Sequence, residues 1–319
     1  MKRLILALSV MLAAAGLSAQ PTAWQPPPGL TQIPIWPGAA PDAQPASGSE
    51  ISTTTDKHDL VAGKPYVWVE NVTQPTMTVY PPKGKNTGVA VIVFPGGGFM
   101  GLAMDLEGTE VCDWLTSKGV SCVLLKYRVP RSEDYYDQKL QRHVEPKPPT
   151  AFQDAQRAIS LTRSRAAQWG IDPRKIGVMG FSAGGYLAAK TSTEFERRAY
   201  KPVDAADQES CRPDFSVPIY PGHLWRSDDG STELKLNPKI HVTSRTPPIF
   251  LLQAEDDYVD NVNQALVFYI ALKEAKVPVE MHLYAHGGHA FGLRSTRFPI
   301  TAWPQLVERW LRTIGMIPE

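Results

Sequence analysis

Gly180-Phe181-Ser182-Ala183-Gly184-Gly185 is a G-x-S-x-G stretch set between two unlike runs. Lys175-Ile176-Gly177-Val178-Met179 before it is short and β-branched, the pattern of a buried strand. Tyr186-Leu187-Ala188-Ala189-Lys190 after it is dominated by good helix formers. A strand that turns sharply into a helix leaves no room for side chains beside the serine. Gly180, Ala183 and Gly184 meet that demand. Such a strained turn lifts the Ser182 hydroxyl out at the edge of a sheet, with the positive end of a helix beneath it.

A serine hydroxyl is a weak nucleophile at neutral pH. It needs a base in hydrogen-bond reach, a carboxylate to orient that base, and N–H donors where negative charge develops. Seven histidines are present, and the most suitable lies in His286-Gly287-Gly288-His289-Ala290-Phe291-Gly292. Glycines on both sides of His289 let the loop bring its ring to Ser182, and His286 is its rival. For the carboxylate, Ile249-Phe250-Leu251-Leu252-Gln253 reads as a strand that runs into Ala254-Glu255-Asp256-Asp257-Tyr258-Val259-Asp260. Four acids compete there, and Asp260 also suits the N-cap of the following helix. For the donors, Phe94-Pro95-Gly96-Gly97-Gly98-Phe99 ends a strongly apolar strand with three consecutive glycines. A phosphate-binding loop is excluded, because no Gly-Lys-Ser/Thr follows. Each feature sits at the C-terminal end of an expected strand, where open α/β sheets bind ligands.

The surrounding pattern agrees with one α/β domain. Tyr66–Val69 and Thr76–Tyr80 alternate and are expected to form an antiparallel pair. Val89–Phe94 has the continuous apolar character of a central parallel strand. A helix is expected over Glu107–Lys118, stopped by Gly119, followed by a strand over Ser121–Tyr127 and a helix over Ala151–Gln168. Further strands are expected at Phe215–Tyr220, Pro248–Gln253 and Val279–Tyr284, and helices at Asn261–Lys276 and Trp303–Ile314. Residues 20–59 read as a Pro-rich extended segment with little strand or helix pattern, pinned to the body by Ile33-Pro34-Ile35-Trp36-Pro37. The catalytic domain is expected over 60–319. Loops at 131–149 and 192–246 are candidate lids.

The 319 residues are 43% hydrophobic and 20% charged, with a net charge of +1. A charge so close to zero, with no basic stripe, gives no support for nucleic-acid binding. Lys2-Arg3, the apolar run Leu4–Gly16 and Leu17-Ser18-Ala19 have the layout of a signal peptide over residues 1–19, cleaved after Ala19. That predicts a secreted or periplasmic protein free of the membrane. Asn71-Val72-Thr73 matches a glycosylation sequon. Cys112, Cys122 and Cys211 leave at least one thiol unpaired; whether Cys112 and Cys122 are joined is open, and no Cys/His spacing suits a metal.

The chain resembles the α/β-hydrolase fold esterases of the esterase/lipase group, nearest to bacterial secreted acetyl xylan and feruloyl esterases. The resemblance runs over roughly 60–315 and rests on the 94–99, 177–185 and 287–292 stretches. It also rests on Leu125-Lys126-Tyr127-Arg128-Val129 and Asp154-Ala155-Gln156-Arg157-Ala158. It implies a mostly parallel central sheet with antiparallel N-terminal strands and helices on both faces. Matched by position, Ser182 is the nucleophile and His289 the base. The family's acid falls on Asp257 in preference to Asp256, with Asp260-Asn261 where Val-Pro is usual. The oxyanion donors are the amides of Gly97, Gly98 and Ala183. Pro95 replaces the usual first histidine of His-Gly-Gly-Gly, which removes a side chain that helps hold the loop. Gly185-Tyr186 stands where Gly-His is common, and Arg128 and Asp154 are expected to pair beneath the site.

The expected activity is ester hydrolysis through an acyl-enzyme, on acetyl or feruloyl groups of a plant polysaccharide such as xylan, without a cofactor. A general short-chain carboxylesterase is the nearest alternative. A peptidase on this fold is set behind both, since no propeller-like segment precedes the catalytic region. An inactive scaffold that binds carbohydrate is the alternative from another class. Oligomeric state is open.

Overall fold

Five strands of one sheet are buried at every residue: Ala90–Phe94 (β5), Ser121–Lys126 (β7), Ile176–Phe181 (β10), Ser216–Ile219 (β11) and Ile249–Ala254 (β12). Successive side chains of a strand point to opposite faces, so full burial means that both faces of the sheet are covered. The computed structural model describes residues 23–43, 48–129, 149–225 and 233–318, and the backbone of 136–137 and 142–143. The leader assigned to 1–19 lies outside the described residues. So do most of the 131–149 loop and the Ser227-Asp228-Asp229-Gly230 turn.

The main sheet has eight strands in the order β1-β4-β7-β5-β10-β11-β12-β13, where β1 is Gln32–Pro34, β4 is Thr76–Tyr80 and β13 is Val279–Tyr284. From β7 to β13 every pairing is parallel, and β4 and β1 add antiparallel strands at one edge. Against this sheet pack five helices: Glu110–Ser117 (α1), Thr150–Ser164 (α2), Ala183–Thr193 (α3), Asn263–Glu274 (α4) and Trp303–Thr313 (α5).

The N-terminal half departs from expectation in three places. Tyr66–Val69 and Thr76–Tyr80 do not pair with each other. Val67–Glu70 (β3) joins Ile51–Thr54 (β2) and Gly101–Ala103 (β6) in a separate three-stranded sheet, while β4 pairs with β1 and β7. The cause lies in the link between them: Asn71 is left-handed (φ 57°) and Val72 bridges to Val129, so the chain passes from one sheet to the other. Residues 20–59 are more than an extended lead-in, because β1 and β2 lie within them. Ile35 and Trp36 are buried as anticipated, and Trp36 Nε1 donates to Asp154 at 2.8 Å. Finally, the helix expected from Glu107 begins as a π-helical turn over Asp105–Thr109, and only then becomes α1. Gly119 (φ 75°) ends it as expected.

Asn71 is buried, and its side-chain amide donates to Ser49 O at 3.0 Å, so the sequon asparagine is built into the fold. Cys112 on α1 and Cys122 on β7 form a disulfide, while Cys211 is a buried free thiol. Among the described residues no helix is long and apolar enough to cross a membrane.

Candidate active site

The turn between β10 and α3 holds Ser182 at φ 53° and ψ −119°, a region that non-glycine residues occupy only under constraint. Its neighbours show the constraint. A Cβ on Gly180 would lie 1.9 Å from Gly184 O, and one on Gly184 would lie 2.0 Å from Phe94 O. Neither contact is possible for a real side chain, so the spacing of the motif is dictated by backbone packing against the adjacent strand.

Three loops converge on that serine. His289, in the loop after β13, places Nε2 3.0 Å from Ser182 Oγ and Nδ1 2.8 Å from Asp257 Oδ2. Asp257, in the loop after β12, is fully buried in its side chain. Its Oδ1 accepts from the amides of Val259 and Asp260 at 2.9 and 2.8 Å, and its Oδ2 from Gln253 Nε2 at 2.9 Å. Those donors aim the carboxylate at the ring. Burial alone would lower the His289 pKa. The hydrogen bond to Asp257 and the charges of Asp260, Asp257 and Glu107 outweigh it and raise the pKa above the usual histidine value.

The competing residues have other places. Asp256 Oδ1 accepts from the amides of Gly287 and Gly288 at 2.9 and 2.8 Å, and its Oδ2 meets His286 Nδ1 at 3.1 Å. It ties down the loop that carries His289 without touching that ring. Those amides, Gly288's first, hold its pKa below the usual carboxylate range. His286 is exposed. Asp260 does not cap the next helix: α4 starts after Val262 with no side-chain cap. Its Oδ2 accepts from Ser182 Oγ at 3.3 Å and lies 3.8 Å from His289 Nε2.

The glycine loop after β5 lies against the elbow, since a Cβ on Gly96 would sit 3.0 Å from Ser182 Cβ. The absent histidine side chain is made up for by two groups that the sequence did not reveal. Glu107 Oε2 accepts from the Gly96 amide at 2.7 Å, and Tyr127 OH donates to Pro95 O at 2.6 Å. Glu107 is buried, and its other oxygen accepts from Tyr220 OH at 2.8 Å. Burial pushes its pKa up, against the lowering effect of the Tyr220 bond, the His289 charge and the Gly96 bond. Beyond Glu107, Gly97 and Gly98 are both at positive φ, 137° and 60°. Tyr186 is buried against Phe99 and His223. Arg128 and Asp154 form the expected buried ion pair at 2.8 Å. The 194–212 region of the second candidate lid is fastened to α2, where Arg157 pairs with Asp204 and Asp207. No group of three or more His, Cys, Asp or Glu residues among the described residues is placed to hold a metal ion.

A serine on a strand-to-helix elbow, with an imidazole and a carboxylate from the two later strand-end loops, defines an α/β-hydrolase. The chain belongs to the prolyl oligopeptidase family, whose model matches residues 110–314. In three dimensions it is similar to the acetyl ester-xyloside bifunctional hydrolase of Caldicellulosiruptor lactoaceticus. The TM-score is 0.68 at 32% identity, over 90% of this chain and 97% of the other. It is similar in sequence to an acetylxylan esterase of Xylanibacter ruminicola, 28% identical over 225 residues, 65% of this chain and 42% of the relative. Endo-1,4-beta-xylanase B of Butyrivibrio fibrisolvens is 27% identical over 222 residues, 65% of this chain and 33% of the relative. The chain thus spans less than half the length of these two curated relatives. The likenesses agree with the α/β-hydrolase fold of the chain.

Proposed function

We propose that this protein is a serine esterase that removes acetyl groups from a hydroxylated carbohydrate such as xylan. The observation that carries the reading is the continuous hydrogen-bonded chain from Ser182 through His289 to Asp257, at 3.0 and 2.8 Å. In the first half-reaction Ser182 Oγ bonds to the acyl carbon while its proton passes to His289 Nε2. The carbonyl oxygen becomes an oxyanion, held by the amides of Gly97, Gly98 and Ala183. The bond to the alcohol oxygen then breaks, and His289 returns the proton to that oxygen. In the second, water adds to the acyl carbon and gives its proton to His289. The acid leaves, and Ser182 recovers its hydrogen.

The carbohydrate part of the reading draws on the acetyl ester-xyloside hydrolase and the acetylxylan esterase, and on Tyr258. That ring is 83% exposed on the turn that carries Asp257 and is free to face a sugar ring. Export is part of the reading as well, with the leader removed after Ala19. A disulfide between Cys112 and Cys122 suits an oxidising compartment. N-terminal sequencing of protein recovered from cell envelopes or medium tests this, and a chain that keeps Met1 and stays in the cytoplasm refutes it.

The activity is tested by acetate release from acetylated xylan, with p-nitrophenyl acetate run in parallel, for the native chain and Ser182→Ala. The variant is expected to lose roughly 10⁶-fold in kcat on both. Native activity on p-nitrophenyl acetate alone would remove the polysaccharide from the reading. Turnover retained by Ser182→Ala would remove the mechanism.

A further inference from the structure

The imidazole of His289 is bracketed by carboxylates, Asp257 at Nδ1 and Asp260 at Nε2. Asp257 already does what a serine mechanism asks of an acid. A second carboxylate on the reacting side is costly, because it adds charge to a largely enclosed site. Among the described residues its side chain has one hydrogen-bond partner, Ser182 Oγ at 3.3 Å. Its backbone is engaged separately: its amide donates to Asp257 Oδ1 and its carbonyl accepts from Gln253 Nε2. The turn therefore does not depend on the carboxylate. Packing also points the side chain to the site, since a Cβ on Gly222, in the loop after β11, would lie 2.6 Å from Asp260 Oδ1. A larger residue at 222 would displace it.

The position relative to the reaction is informative. The leaving alcohol oxygen has to come within hydrogen-bond reach of His289 Nε2 to receive its proton. Asp260 Oδ2, 3.8 Å from that nitrogen, lies beside the place the alcohol must occupy. We propose that Asp260 is a specificity-determining residue: its carboxylate accepts a hydrogen bond from a free hydroxyl neighbouring the ester on the alcohol half, and so selects esters of polyols. This rests on the ester-hydrolase reading above. Without substrate, the Ser182 hydroxyl is shared between His289 Nε2 at 3.0 Å and Asp260 at 3.3 Å. A polyol hydroxyl that docks on Asp260 replaces Ser182 there and leaves the serine hydrogen to His289. Simple alkyl esters cannot make that exchange, and an anionic alcohol is repelled.

The test compares glyceryl monoacetate, which carries the neighbouring hydroxyl, with propyl acetate, which lacks it. Acetate release is followed for the full-length protein, Asp260→Asn and Asp260→Ala, and the readout is the ratio of the two kcat/KM values. A ratio cancels any change common to both esters. Loss of the acceptor predicts that the ratio falls by about tenfold or more in Asp260→Ala, and loss of its charge alone predicts a smaller fall in Asp260→Asn, whose amide oxygen still accepts. A native enzyme without preference for the glyceryl ester overturns the proposal. So do variants in which both activities fall alike, since Asp260 would then act on the triad and not on the substrate. If the native protein hydrolyses neither these esters nor p-nitrophenyl acetate nor acetylated xylan, the ester-hydrolase reading itself fails. That pattern differs from a lost preference in an active enzyme.

Discussion

Glu107 accepts a hydrogen bond from the Gly96 amide at 2.7 Å, and through it a buried carboxylate sets the position of the glycine loop beside Ser182. Its other oxygen takes the Tyr220 hydroxyl, which in turn accepts from the Gly292 amide at 3.1 Å in the histidine loop. One side chain thus links the glycine loop after β5 to the loop that carries His289. Glu107→Ala strands the Gly96 and Tyr220 donors in a buried site, at about 1–3 kcal/mol each. The variant is expected to lose stability on that scale and about 100-fold in kcat, because the proposed oxyanion donors on the glycine loop lose their support. Glu107→Gln keeps an acceptor for Gly96 and should retain most of both. Denaturant titration and p-nitrophenyl acetate kinetics check the pair. An Ala variant with unaltered kcat would detach the loop from Glu107.

Asp256 and Asp257 are adjacent in sequence and opposite in consequence. Asp257→Asn replaces the acceptor of the His289 Nδ1 proton and favours the wrong ring tautomer, so kcat should fall by about 10⁴-fold with little change in fold. Asp256→Ala removes the acceptor of two loop amides and leaves the imidazole bond intact. Its effect on kcat should stay within about tenfold, since the bond from His289 to Asp257 is untouched. Equal losses in the two variants would refute the separation of roles.

The reading of the site from sequence had a physical limit. Ser182, His289 and the acidic turn were visible because each stands beside glycines or at the end of an apolar run, where backbone geometry leaves a local trace. Asp260 reads as a helix cap, since an aspartate before a helix has that local use. Only the packing of Gly222 and Ser182 around it shows that its side chain turns the other way. Glu107 is hidden for the same reason: a carboxylate at a helix start is ordinary, and its burial comes from strands and loops far away in sequence. Alternation likewise identified β3 and β4 as strands but not their partners, which depend on the left-handed Asn71 and the Val72–Val129 bridge. Cys112 and Cys122 were visible as neighbours in the helix-strand pattern, and whether they bond is a matter of distance.

That bond supports a prediction about stability. The disulfide closes a short loop, with a sequence separation of 10, and ties α1 to the central sheet. Chain-entropy arguments give such a loop about 2–3 kcal/mol. The double variant Cys112→Ser/Cys122→Ser should unfold at correspondingly lower denaturant, while kcat/KM of the folded protein stays within about twofold, since neither sulfur touches the triad. Mass spectrometry without reductant should find Cys211 alone open to alkylation after unfolding. Three alkylated cysteines would mean that the bond does not form.

The charges around His289 predict the shape of the pH profile. The ring must be neutral to take the Ser182 proton, so activity falls as pH drops through its pKa. Three carboxylates face it: Asp257 and Asp260 from the acidic turn, and Glu107 from the π-helical turn before α1. Tyr220 lies over the ring, with centroids 4.9 Å apart. Together the carboxylates raise the His289 pKa, which moves the acid limb to higher pH than an isolated histidine would give. Asp260 is itself pushed up to about 6, first by burial and then by the Asp257 charge, against the lowering effect of His289 and the Ser182 bond. Its titration is coupled to that of the imidazole it faces. Asp260→Asn removes a charge that favours imidazolium, so the His289 pKa falls and the acid limb of kcat/KM on propyl acetate moves down. Glu107→Gln should move it in the same direction. An acid limb that stays in place in Asp260→Asn would mean that residue 260 is already neutral wherever His289 titrates.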